Sequence, residues 1–124
     1  MQVKYKDQKV RELFEDLNDI RASRNQMKKK IGTELTKAVK RRYNQIIAFS
    51  NFAALINSHI GKIESLEGEG NRTYSLHLSA NYRLIIAPDT KDFSAEGLRN
   101  CDTFIIKGVV DYHGKGSNNN WIIP

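Results

Sequence analysis

The spacing of apolar residues changes near Lys62, from a period of three to four residues to a period of two. Before that point helices are expected, and after it strands. Residues 2–6 alternate Val3 and Tyr5 with polar neighbours, which predicts a short strand ahead of the helical region. Val10, Leu13, Phe14 and Leu17 then recur at helical spacing, with Asp7 as the N-cap. Residues 19–32 fit either another helical turn or a basic loop, stopped at Gly32. From Thr33, taken as a cap, Leu35, Val39, Tyr43, Ile46 and Ile47 make a continuous apolar stripe, with Lys37, Lys40, Arg41 and Arg42 off it and on solvent. TELT does not complete a capping box, because Thr36 stands where Glu or Gln is needed. Residues 51–56 predict one more short helix, leading into Gly61.

Residues 72–78 and 82–87 read as a hairpin whose register follows from burial. Tyr74, Leu76 and Leu78 must share a face with Tyr82, Leu84 and Ile86. Pairing Leu78 with Tyr82, Leu76 with Leu84 and Tyr74 with Ile86 achieves this. A two-residue loop would flip one strand. The loop is therefore Ser79-Ala80-Asn81, with Asn81 expected in the left-handed conformation. His77 then falls opposite Arg83, on the face away from the helices. Pro88 ends the strand, and residues 89–102 form a polar insertion of a length usually functional or mobile. Residues 103–112 are apolar on both faces, as in a central strand, and Gly108 marks a bulge. The order predicts a single α+β domain over residues 1–124. An N-terminal strand and helices pack on one face of a small antiparallel sheet, and residues 114–124 form a tail in which Trp121, Ile122 and Ile123 tuck onto the body.

Composition narrows the class. The chain has 124 residues and one cysteine, Cys101, so no internal disulfide can form. It lacks the CxxC, HExxH and P-loop patterns, and neither a metal nor another cofactor is expected. No apolar run approaches membrane-spanning length and the first residues lack a signal-peptide core, so a cytoplasmic protein without a membrane partner is expected. The formal charge of +6 is unevenly spread. Residues 1–62 carry 14 basic and 6 acidic side chains, whereas residues 63–124 carry 6 and 8. Lys28, Lys29, Lys30, Lys40, Arg41 and Arg42 form the densest clusters. They suit a polyanion or acidic protein, and serve equally as solvated helix faces.

Candidate chemistry lies in the second half. Arg83 and His77 share the polar face of the hairpin, and Asp111-Tyr112-His113 ends the last long strand. Arginine grips phosphate oxygens through a planar fork, and histidine exchanges a proton near neutral pH. Tyrosine stacks on a splayed base, and aspartate orients a histidine or an arginine. Each is also an ordinary residue for a strand edge.

Three stretches in this order, KKKIGTELTKAVKRR, IESLEGEGNRTYSLHLSANYRLIIAP and VVDYHGK, resemble the RelE/HigB superfamily of small bacterial toxins, closest to the HigB-like plasmid-maintenance killer branch. The resemblance spans roughly residues 28 to 115 and implies the RelE-like microbial RNase fold. It implies an endoribonuclease that enters the ribosome and cuts translated mRNA without a metal, held inactive by a cognate antitoxin of helix-turn-helix type. By position, Arg83 matches the arginine at the scissile phosphate, and Asp111, Tyr112 and His113 match the terminal motif for proton transfer. Lys28, Lys29, Lys30, Lys40, Arg41, Arg42 and Arg72 are the expected contacts to RNA and ribosome. The chain departs from the family at Leu66-Glu67-Gly68, where Leu-Lys-Gly is typical and a carboxylate replaces the cation. His77, Arg72 and Lys107 are the candidates to restore positive charge or accept a proton. The related ParE branch, which inhibits gyrase by binding, is the non-enzymatic alternative; a catalytically weak RNA- or antitoxin-binding member of the same fold is another.

Overall fold

The computed structural model describes residues 1–22, 24–66, 72–111 and 120–124. Helices precede most of the sheet, as the change in period requires. β1 (Gln2–Tyr5) is followed by α1 (Gln8–Glu15), a 3-10 turn over Asp16–Asp19, α2 (Gln26–Ile31), α3 (Thr33–Ile47) and α4 (Phe52–Asn57). Then come β2 (Glu64–Leu66), β3 (Thr73–His77), β4 (Tyr82–Pro88), α5 (Ala95–Arg99), β5 (Thr103–Asp111) and β6 (Asn120–Ile123).

Local chemistry sets the helix boundaries. Asp7 Oδ1 accepts from the Val10 amide at 2.9 Å, and Asn51 Oδ1 from the Ala54 amide at 2.8 Å. Each satisfies a donor that a helix start leaves unpaired. The ambiguous stretch resolves into α2, capped by Asn25, whose side chain accepts from the Lys28 amide and donates to the carbonyls of Asp16 and Asp19. Gly32 ends α2 at φ 87, where a side chain would be strained. It also occupies the cap position of α3, so Thr33 is the first helical residue and not the expected cap.

The sheet runs β1-β5-β4-β3-β2, with β6 also paired to β5. Because β4 occupies one edge of β5, β1 and β6 share the other, end to end. β1 lies parallel to β5, so the sheet is mixed and not purely antiparallel as expected. The hairpin register holds, with Tyr74 opposite Ile86, Leu76 opposite Leu84 and His77 opposite Arg83. Asn81 does not adopt positive φ; among the described non-glycine residues only His59 and Lys62 do. The Arg83 side chain holds the turn instead. β2 and β6 extend the expected sheet, and the polar insertion contains α5, capped by Ser94.

The core lies between the helices and one sheet face. Val10, Phe14, Val39, Ile46, Phe52 and Leu55 meet Leu76, Leu84, Ile86, Ile106 and Val109 there. Each such side chain contributes about 1.5–3 kcal/mol of transfer free energy. The opposite face is not simply polar, since Ile85, Ala87 and Val110 are buried as well. Gly108 lies in an irregularity of the β4–β5 ladder at φ 150, and a Cβ there would meet the Ile123 carbonyl oxygen and the Trp121 ring. The glycine therefore lets β6 close onto β5.

Candidate functional site

His77 ends β3, on the sheet face away from the core. Arg83 pairs with it across the hairpin. Glu64 of β2 pairs with Ser75, two residues along on the same face. Lys62 precedes β2 in a left-handed conformation, φ 50. Arg42 reaches over from α3 and donates through Nε to the His77 carbonyl at 3.0 Å, while its Nη1 donates to Gln45 Oε1 at 2.7 Å. Half-burial, with Arg41 next to it, lowers the Arg42 pKa. Loss of solvent lowers the His77 pKa below its ordinary value. The positive charges of Arg83, Lys62 and Arg42 add to that, and Glu64 opposes them. The balance favours the neutral imidazole, a proton acceptor with both cations and one carboxylate near it.

Arg83 is only 9% exposed. Its Nη1 donates to the carbonyls of Ser79 at 3.0 Å, Ala80 at 3.2 Å and Tyr82 at 3.1 Å. These bonds hold the hairpin turn that a left-handed Asn81 was expected to make. One nitrogen of the fork is thus engaged with backbone, and the side chain is part of the fold as well as a charge beside His77.

The pairing separates Arg83 from Asp111. Arg83 lies across from Val110, and Asp111 lies across from Tyr82. Strand alternation assigns the two side chains to opposite faces. Tyr112, His113 and Glu67 lie outside the described residues.

The basic clusters divide by burial. On α2, Lys29 and Lys30 are exposed and Lys28 is half-buried. With Lys9 and Glu12 of α1, Lys29 and Lys30 line a shallow groove. On α3, Arg41 is exposed and Lys40 half-buried. Arg42 departs from its expected place on solvent, because it is half-buried and fastens α3 to β3. Arg72 is exposed, with its guanidinium 5.4 Å from the centre of the Phe93 ring.

Sequence reasoning missed Lys62 and Glu64 as neighbours of His77. Their only signal was the change of period at Lys62, which marks where strands begin without giving a strand over 64–66 or its partner. Among the described residues, no group of three His, Cys, Asp or Glu side chains is placed to hold a metal ion. No helix among them is long and apolar enough to cross a membrane. Compared with protein-family models, curated proteins and solved structures, the chain gives no match.

Proposed function

We propose that this chain is a metal-independent endoribonuclease of RelE/HigB type, the toxin of a toxin–antitoxin pair, acting on translated mRNA. The supporting observation is His77 paired across the hairpin with Arg83, its pKa lowered by loss of solvent and by the charges of Arg83, Lys62 and Arg42. RNA is cut when a 2′-hydroxyl loses its proton and attacks the adjacent phosphorus. The bond to the 5′-oxygen then breaks, and that oxygen takes a proton. His77 accepts the first proton. Arg83 and Lys62 stabilise the charge that builds on the phosphorane oxygens. A second group must return a proton to the leaving oxygen, and His113 of the terminal motif is the sequence's candidate for it. The products are a 2′,3′-cyclic phosphate and a 5′-hydroxyl. The exposed lysines of α2 suit ribosomal RNA or an acidic antitoxin segment, because they add affinity without choosing sequence.

The test is induced expression followed by mapping of mRNA ends. Growth arrests, and transcripts are cut within translated codons to leave cyclic phosphates. His77→Ala lowers the cleavage rate by roughly a hundred- to ten-thousand-fold, the usual share of one acid–base group. The low-pH limb of the wild-type rate profile lies below the ordinary histidine value, because protonation of His77 removes the base. Cleavage by His77→Ala at the wild-type rate refutes the assignment. Growth arrest with a DNA-damage response and intact mRNA favours the gyrase-inhibitor branch.

A further inference from the structure

On the sheet face that carries His77, the opposite end of β4 opens into a groove of about 500 Å³. That volume is in the range of a small-ligand cleft. Its floor is apolar, made by Ala87 of β4 and Ile105 of β5, which pair directly. One wall is the Phe93 ring with the Arg72 guanidinium against it at 5.4 Å. Lys91 and Lys107 stand at the rim. Lys107 is the extra residue of the β4–β5 irregularity, between Ile106 opposite Ile86 and Gly108 opposite Ile85, and bulges re-aim side chains. The lining has one acid, Asp89, and Lys4 already binds it at 2.7 Å. Among the described residues, none of the three groove cations makes an ion pair.

A flat aromatic surface, an apolar floor and three cations form the recurrent chemistry of single-stranded nucleic-acid grooves: a base stacks on the ring and phosphates meet the cations. We propose that this groove binds single-stranded RNA, with a base against Phe93 and the adjoining phosphates held by Arg72, Lys91 and Lys107. Arg83 and Ala87 both point to this face of β4, four residues apart, or about 13 Å at the usual strand rise. The groove therefore lies beside the His77 corner, offset along the same strand. The choice of RNA rests on the ribonuclease reading above; the stacking and phosphate chemistry rests on the groove alone.

The test measures binding of a fluorescein-labelled RNA decamer to the full chain by anisotropy across a salt series. Wild type binds. Phe93→Leu, which keeps apolar volume and loses the flat ring, weakens binding roughly ten-fold, while Phe93→Trp preserves it. Arg72→Ala and Lys107→Ala each weaken binding and flatten the log–log salt slope by about 0.7, as for one lost phosphate contact. Lys37→Ala, on the exposed face of α3, leaves both unchanged. Melting temperatures establish that each variant is folded. The proposal is overturned if wild type does not bind, if the groove variants bind as wild type does, or if a decaglutamate peptide displaces the RNA at equal charge. Cleavage of translated mRNA is followed with the same proteins. Cleavage with groove-independent binding removes the groove and leaves the enzyme. Groove-dependent binding without cleavage does the reverse.

Discussion

His77 and Arg83 face each other across one hairpin and meet different demands. Burial and three nearby cations disfavour the charged form of His77. A histidine held below its unfolded pKa binds a proton more readily once the chain unfolds. Stability is then undiminished above the unfolded value of about 6.5 and falls as pH drops through it, levelling off below the folded pKa. His77→Gln is expected to flatten that slope between pH 7 and pH 5 in urea titrations, with no change above pH 7.5. An unchanged slope would place the acid sensitivity elsewhere. Arg83, by contrast, is tied to three turn carbonyls. Its place opposite His77 was legible from the alternation of apolar residues. Its role in the turn was not, because a side chain folding back on its own loop leaves no periodic trace.

At the scale of elements, the C-terminal strand depends on one glycine. β6 pairs with β5 next to Gly108, Ile123 is buried at 1% exposure, and Trp121 stays 47% exposed with the Lys6 ammonium 5.9 Å from its ring. Gly108→Ala adds a Cβ against the Ile123 carbonyl at a backbone angle that side chains avoid. The expected cost is about 2–4 kcal/mol, combining overpacking with backbone strain. Trp121 is the sole tryptophan, so its fluorescence reports whether β6 detaches while the core persists. A wild-type melting curve and emission spectrum would refute this account of the bulge. The glycine was conspicuous in the sequence as a break in an apolar run. The strand it admits was not, because four residues beyond a polar stretch carry too little pattern to announce pairing. The same holds for β2 and α5, each of five residues or fewer.

At the scale of the whole molecule, the basic half of the chain separates into two classes that charge alone does not distinguish. Lys29 and Lys30 stand on solvent, whereas Arg42 joins α3 to the end of β3. Lys29→Ala with Lys30→Ala is expected to leave the melting temperature within experimental error and, under the proposed ribonuclease function, to weaken salt-dependent binding to ribosomes. Arg42→Ala is expected to cost about 1–3 kcal/mol, because it strips a half-buried carbonyl of its donor. Equal melting curves for the two variants would contradict this division.

The sequence by itself determined the α+β order, the hairpin register, the central strand with its bulge, and the stripe that α3 presents to the core. Each is a repeating pattern of burial, written in residues close along the chain. It also carried the positions of His77 and Arg83, because strand alternation fixes a face once the register is known. Tertiary structure alone decided that β1 runs parallel to β5, that β6 shares its edge, and that Arg42 is a tie. It also decided that Lys62 and Glu64 surround His77, that Phe93 meets Arg72, and that Asp111 and Arg83 take opposite faces. These depend on which distant segments become neighbours. That choice is made by how whole layers pack, and a local period carries no record of it.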